Sequence, residues 1–329
     1  MQVIQLQAPG GPEVLECVER PLPLPGAGEV RVRAQAIGVG QPDALIREGR
    51  YKWMPPLPAV PGNEMAGVVD ALGPGITAPA PGTPVLVSAR EGAQRGGCYV
   101  QAICVPAAAL YLLPPGIDAA DAISLPNLQL AGALLYESGG RRPASMLVHG
   151  AAGGVASALL QLAQADGLLA IGTTSSAQKA AFARAAGALH IIDRSSEDVA
   201  ARVRELTAGR GVDLVLDHVA GPGFTANLDL LAPLGTLLSY NALAGLPELN
   251  LLGEMRRLLG RSLDLRCYSI HTLDAQPALR RALMERALAL LAGGRVRTPV
   301  VTRLPLAEAA QAHRLLPSPD RLGKIVLLP

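Results

Sequence analysis

Two textures of hydrophobic and polar positions divide the chain. Through about residue 120, apolar residues alternate with polar ones in short runs such as Glu29-Val30-Arg31-Val32-Arg33-Ala34, with Pro-Gly turns between them. That texture predicts an all-β region of short strands. From about Ala119 the chain becomes rich in Ala and Leu at helical spacing, broken by compact apolar segments. The segments predict strands near 145–149, 168–172, 189–193, 212–217 and 235–240, each separated from the next by a helical stretch. Strands alternating with helices imply a parallel sheet covered on both faces, so the fold class is α/β. Beyond about residue 265 the pattern is mixed. Amphipathic, core-covering helices are expected near 277–292 and 306–316, and Lys324-Ile325-Val326-Leu327-Leu328 reads as a final strand.

Length and composition narrow the classes. A chain of 329 residues calls for two domains rather than one, and half of it is hydrophobic, so a substantial core is available. With two Phe, six Tyr and one Trp, that core must be aliphatic. The net charge of +2, spread over dispersed Lys and Arg, argues against a nucleic-acid surface. Cys17, Cys98, Cys104 and Cys267 form no C-x-x-C pair, and reduced thiols are expected. No signal peptide opens the chain and no apolar run reaches the ~18–20 residues of a membrane span, so a cytoplasmic protein with no membrane partner is expected.

The strand near 145–149 runs directly into Gly150-Ala151-Ala152-Gly153-Gly154-Val155 and then a helix. The frame is G-x-G-x-x-G/A, with Ala151, Gly153 and Ala156 in the small-residue slots. Such a turn brings backbone N–H groups and a helix N-terminus to a pyrophosphate, and the strand–turn–helix context makes it a dinucleotide site. NAD-binding versions place an acid about 20 residues on, at the end of the second strand, for the ribose 2′-OH. None occurs between Leu168 and Ala180; Thr173, Ser175, Ser176 and Lys179 occupy that stretch, and Arg194 follows the next strand. Hydroxyls and cations suit a 2′-phosphate, which favours NADPH over NADH. Ser175 and Ser176 equally suit capping of the next helix, with Lys179 solvated in its first turn.

With these features on view, the chain resembles the medium-chain dehydrogenase/reductase superfamily, in its zinc-free, zeta-crystallin-like quinone oxidoreductase branch. The likeness is carried by an ordered set: GGPEVL at Gly10–Leu15, PGAGEVRVR at Pro25–Arg33, PGNEMAGVV at Pro61–Val69 and GPGIT at Gly73–Thr77. Then follow VHGAAGGVA, GTTSSAQK, GVDLVLDHVAG at Gly211–Gly221 and the closing RLGKIVLLP. The resemblance implies a GroES-like catalytic β-domain over 1–120, a Rossmann NADPH-binding domain over 121–265, and a return to the catalytic domain over 266–329. It also implies a homodimer. Zinc-dependent members hold their metal at positions matching Gly40, Asn63 and Pro126, none of which is a usual ligand here. Catalytic zinc takes about three protein donors, so no metal is expected and Glu64 reads as a hydrogen-bonded structural carboxylate.

Without a Lewis acid, reduction of an electron-poor acceptor is the accessible chemistry, because charge developing on a quinone or enone is delocalised onto oxygen. The segment Gly40 to Tyr51 resembles the one that lines the family's active site. Tyr51 is the candidate proton donor to a forming enolate, or else a cleft-lining ring packed on Trp53. Gly40, Asp43, Leu45, Trp53 and Asn63 are the other expected lining residues, although orienting the loop backbone is the favoured task of Asp43. Asn241 is expected near the nicotinamide and Lys324 near the cofactor phosphates, by the same likeness. His149 reads as strand-end packing. Asp217 and His218 are neighbours on a strand and face opposite ways, which argues against a dyad. Two alternatives stay open: an enoyl thioester (enoyl-CoA or acyl-carrier) reductase, which the Gly62-Asn63-Glu64 sequence also fits, and a non-catalytic NADPH-binding protein.

Overall fold

Alternation in Glu29–Val39 buries Val30, Val32 and Ala34 and leaves Arg33 and Gln35 exposed, as a strand with one face on a core requires. The computed structural model that contains this strand describes residues 1–248, 250–298, 300–318 and 321–329. It divides into two units, residues 1–126 with 298–329, and residues 127–297.

The first unit opens with an antiparallel pair, β1 (Gln2–Gln5) and β2 (Glu16–Glu19). Then come β3 (Glu29–Val39), helix α1 (Gln41–Arg47), β4 (Glu64–Leu72), β5 (Pro84–Ser88), β6 (Ala102–Pro106), β7 (Tyr111–Leu112) and the short α2 (Ala119–Ala122). Helix α3 (Leu125–Gly132) crosses the division between units. In the second unit, β8 (Ser145–Val148), α4 (Gly154–Ala165), β9 (Leu169–Thr174), α5 (Ala177–Ala185), β10 (His190–Asp193), α6 (Val199–Leu206) and β11 (Val212–Asp217) alternate. They are followed by β12 (Leu231–Ser239), α7 (Leu251–Arg257), β13 (Asp264–Cys267) and α8 (Pro277–Ala292). The chain re-enters the first unit with β14 (Val300–Pro305), α9 (Ala309–Leu315) and β15 (Lys324–Leu328).

In the first unit, the sheet order is β14-β15-β3-β4-β5-β7, with β6 also on β3, and Ile325 lies opposite Val39. Val30, Val32, Ile37, Met65, Val85, Ile325 and Leu327 belong to its core. In the second, six parallel strands run β10-β9-β8-β11-β12-β13, the doubly wound order whose direction of winding reverses beside the first strand, β8. Its core includes Leu147, Ile171, Ile192, Val215 and Leu237. Among the described residues no helix is long and apolar enough to cross a membrane.

The fold is the expected GroES-like β-unit with a Rossmann-like parallel sheet. Three details differ from the sequence reading. β3 is eleven residues long rather than short, and α1 interrupts the all-β texture immediately after it. The boundary expected at 265/266 falls at 297/298, because Asp264–Cys267 joins β12 as a sixth parallel strand. The following segment stays with it: Ile270, Leu273 and Leu283 pack with Ala133, and Gln129 Nε2 donates to the Arg280 carbonyl at 2.8 Å. The first boundary lies at 126 rather than 120.

Candidate functional site

In the second unit, the chain leaves β8 through His149 and Gly150. Gly150 has φ +67°, and a Cβ there would stand 2.7 Å from His218 Cε1, so the turn needs glycine on two counts. Gly153 enters α4 from an extended conformation, and the first helical turn leaves N–H groups with no intrahelical acceptor. Gly153, Gly154 and Val155 are partly exposed, whereas Ala151 and Ala152 are buried and offer backbone alone. The Ala151 N–H donates to the Thr173 carbonyl at 2.8 Å, tying the turn to β9. Gly172, which the sequence reading passed over, makes that approach possible. A Cβ on Gly172 would meet Ala151 Cβ at 2.8 Å, and an isolated glycine inside a strand was the available signal.

Beyond the turn, β9 and β10 end side by side, with Thr174 opposite Asp193. Ser175, Ser176 and Lys179 follow β9, Arg194 follows β10, and the Arg194 N–H donates to the Thr174 carbonyl at 3.1 Å. Ser176 caps α5 by accepting from the Lys179 N–H at 3.3 Å, and Lys179 Nζ donates to Ser175 Oγ at 3.2 Å. Arg194 is exposed. The neighbouring acid, Asp193, is buried and accepts from the Ser195 N–H and hydroxyl. Ser175, Ser176, Lys179 and Arg194 form a polar, cationic cluster suited to a phosphate, while the capping role of Ser176 is filled as well.

Thr173 requires a correction. It was expected in that cluster, but it is 1% exposed and its hydroxyl is 3.0 Å from His149 Nδ1. It lies inside β9, one residue short of the end, so its side chain is taken up by His149, just past the end of the neighbouring β8, whereas the cluster starts beyond the strand. His149 Nε2 lies 2.7 Å from Asn227 Oδ1, and Asn227 Nδ2 donates to Asp217 Oδ2 at 2.9 Å. His149 is therefore a hydrogen-bonded strand-end residue rather than simple packing. Asn227 lies in a helical turn before β12 with no sequence signal to mark it. Asp217 and His218 take separate partners, the latter with Nδ1 at 3.3 Å from the Tyr240 hydroxyl, which burial holds above its ordinary pKa. Asn241 is exposed, and its side-chain oxygen accepts from the Ala242 N–H at 2.8 Å.

In the first unit, β3 delivers the chain to Gly40 and α1. Asp43, at the third position of that helix, accepts from the Gly40 N–H at 2.8 Å, the Gly62 N–H at 3.1 Å and Asn63 Nδ2 at 2.7 Å. One carboxylate thus pins two loops. Of the two roles read for Asp43, orienting the loop backbone is the one its hydrogen bonds fill: at 1% exposure it holds Gly40 and Asn63, which are partly exposed. Burial, then the nearby Glu64 charge, raises its pKa to about 7, against the opposing hydrogen bonds and Lys324. Glu64 is paired with Lys324, and Gly38 leaves the space, since a Cβ there would stand 2.4 Å from Glu64 Oε1. Lys324 is likewise corrected: it is 7% exposed and its ammonium is committed to Glu64 within this unit, not presented for phosphates.

Tyr51 is buried and its ring centroid lies 5.7 Å from that of Trp53, which is 37% exposed. Leu45 is partly exposed, and its carbonyl accepts the Tyr51 N–H at 3.1 Å, so α1 sets the position of this pair. The donor set of the first unit does not fit a catalytic zinc. Gly40 has no side chain, and Asn63 is spent on Asp43. The thiol of Cys98 is buried and pushed up by that burial and by Asp43 and Glu64, the reverse of what a thiolate ligand needs. Among the described residues no three His, Cys, Asp or Glu side chains are grouped to hold a metal.

Residues 26–115 match the alcohol dehydrogenase GroES-like domain, and residues 186–327 match the family described as zinc-binding dehydrogenase. A quinone oxidoreductase of Pseudomonas aeruginosa is 36% identical over 99% of this chain and 99% of its own. The synaptic vesicle membrane protein VAT-1 homolog of Rattus norvegicus is 31% identical over 97% of this chain and 82% of its own. A mycocerosic acid synthase-like polyketide synthase of Mycobacterium tuberculosis is 30% identical over 98% of this chain, which spans 15% of that protein. Among solved structures, the quinone oxidoreductase of Escherichia coli complexed with NADPH superposes with a TM-score of 0.86 at 30% identity, covering 100% of both chains.

Proposed function

Because the chain belongs to the quinone oxidoreductase family of the medium-chain dehydrogenase/reductase superfamily, it is an oxidoreductase, and we propose that it reduces a quinone or α,β-unsaturated carbonyl with NADPH and without a catalytic metal. The observation that carries the cofactor choice is the cluster of Ser175, Ser176, Lys179 and Arg194 at adjoining strand ends, with the nearby carboxylates of Asp193 and Glu197 turned to their own loop, the former accepting from Ser195 and the latter from the Asp193 N–H. Lys179 and Arg194 supply charge for a 2′-phosphate, and the α4 N-terminus with Gly153 and Gly154 receives the pyrophosphate. When bound, NADPH supplies the hydride.

The chain's own residues then have three tasks. Asp43 keeps Gly40 and Asn63 in place, so that polar groups facing the acceptor need no reorganisation. Tyr51 donates a hydrogen bond or proton to the oxygen on which charge develops, and water returns the proton to the phenol. Glu64 and Lys324 neutralise each other in the buried part of this unit.

Purified protein with NADPH, NADH and an ortho-quinone or enone, with EDTA present throughout, tests the reading. Turnover with NADPH that EDTA leaves intact is the expected result; loss of turnover to EDTA, with metal found bound, overturns the metal-free part. Arg194→Ala with Lys179→Ala should weaken NADPH by about tenfold or more and leave NADH unchanged. Tyr51→Phe should lower kcat by about 100-fold or more at unchanged KM if the hydroxyl transfers the proton, and hardly at all if the ring only lines the site. The likeness to the polyketide synthase favours one second reading, reduction of an enoyl thioester. Turnover confined to enoyl-CoA would select it.

A further inference from the structure

Beneath the glycine turn, four polar side chains form one continuous hydrogen-bond chain across the carboxyl ends of β9, β8 and β11, which are neighbours in the sheet. The direction of every link follows from one end. Asp217 Oδ1 accepts from the N–H groups of Val219 at 2.7 Å and Ala220 at 3.1 Å, and Oδ2 accepts from Asn227 Nδ2. All three contacts are donors, so the carboxylate can only accept. Asn227 has thereby used its amide N–H toward Asp217 and turns its oxygen to His149 Nε2. That nitrogen must carry a hydrogen. In a neutral imidazole, Nδ1 is then bare and accepts from the Thr173 hydroxyl.

Both residues at the far end of the chain touch the turn. His149 is covalently joined to Gly150, and the Thr173 carbonyl takes the Ala151 N–H at 2.8 Å. We infer that Asp217 is a positioning residue for the dinucleotide turn. Acting through Asn227, its carboxylate fixes His149 as the Nε2–H tautomer and holds the ends of β8 and β9 in the relation the turn requires. Its role for cofactor binding rests on the nicotinamide-dependent reading above; the tautomer assignment does not.

An isosteric substitution separates polarity from packing. In Asp217→Asn, the amide oxygen keeps the Val219 and Ala220 N–H groups, and the new NH₂ donates to Asn227. The Asn227 amide must then reverse and donate to His149 Nε2, which moves the imidazole hydrogen to Nδ1 and makes Thr173 the acceptor. The test is the ring-nitrogen NMR spectrum of the cofactor-free protein with ¹⁵N-labelled histidine. The expected result is a protonated Nε2 and bare Nδ1 for His149 in the wild type, exchanged in Asp217→Asn. An Nδ1–H tautomer or an imidazolium in the wild type overturns the inference even if the variant does not fold, and so does a folded variant whose tautomer is unchanged. In parallel, Asn227→Leu interrupts the chain and should weaken NADPH binding about fivefold, the worth of one net hydrogen bond. Unchanged affinity overturns the positioning role. A wild-type protein that binds no dinucleotide overturns the cofactor reading, while the His149 spectrum still decides the relay.

Discussion

Asp43 is a buried acid whose two oxygens are both needed by N–H donors, with Glu64 adding a second negative charge nearby. Its pKa of about 7 lies above the ordinary 3.8, so between those values the folded protein holds a proton that the unfolded chain has released. Stability contributed by this group is therefore full below about pH 4, falls as pH rises toward 7, and levels off above it. The change across the window is on the order of a few kcal/mol, since each tenfold difference in proton affinity is worth about 1.4 kcal/mol. Urea unfolding of the wild type and of Asp43→Asn at stepped pH measures it. The variant should gain on the wild type by that amount from pH 4 to pH 7, and parallel curves would refute the assignment. His313, on α9, works in the other direction: burial and then Arg47 push it from 6.5 down to about 4. Between those values the unfolded chain binds a proton that the folded protein does not, so its contribution to stability rises with pH. Wild type and Asp43→Asn share that contribution, so it cancels in their comparison.

At the scale of elements, glycines decide where backbones cross closely. Gly67 on β4 lies opposite Ala34 on β3, and a Cβ there would fall 2.0 Å from the Arg33 carbonyl oxygen. Backbone atoms in a paired strand have little freedom to retreat, so Gly67→Ala should cost about 3 kcal/mol, read as a lowered urea midpoint. Gly172→Ala differs, because it meets the side-chain ends of Ala151, Ile191 and Leu160 at 2.8–2.9 Å. Overpacking of about 1–3 kcal/mol is expected, together with weaker NADPH binding because Ala151 belongs to the turn. Calorimetry on the variant checks both effects. The same contrast marks what was legible in the sequence. Periodicity and the small-residue frame placed β8 through β12 and the turn, because core-facing strands and turn glycines are local properties. The sixth strand was missed, since Asp264-Leu265-Arg266-Cys267 is half polar and is a strand only by pairing with β12. Thr173 and Lys324 were misplaced for a related reason. Whether a polar side chain faces a ligand or an interior partner depends on His149 and Glu64, which lie 24 and 260 positions away along the chain.

For the whole molecule, the consequence of the division is that stability is carried by two cores, one centred on residues such as Val32, Met65 and Leu327, the other on Ile171, Val215 and Leu237. A chain built this way need not unfold in one step. The two units also report separately. The single tryptophan, Trp53, belongs to the first unit, whereas helices α4 to α8 belong to the second and dominate far-UV circular dichroism. The residues proposed for NADPH lie in the second unit. A ligand that binds only the folded form stabilises it by about 2.7 kcal/mol at one hundred times its Kd. Saturating NADPH should therefore raise the urea midpoint seen by circular dichroism and leave the Trp53 fluorescence midpoint in place. Gly67→Ala should do the opposite, lowering the fluorescence midpoint alone. If both probes move together under either perturbation, the two cores melt as one cooperative unit. If NADPH moves the fluorescence midpoint alone, its binding energy is delivered to the first unit, and the phosphate role given to Ser175, Ser176, Lys179 and Arg194 is wrong.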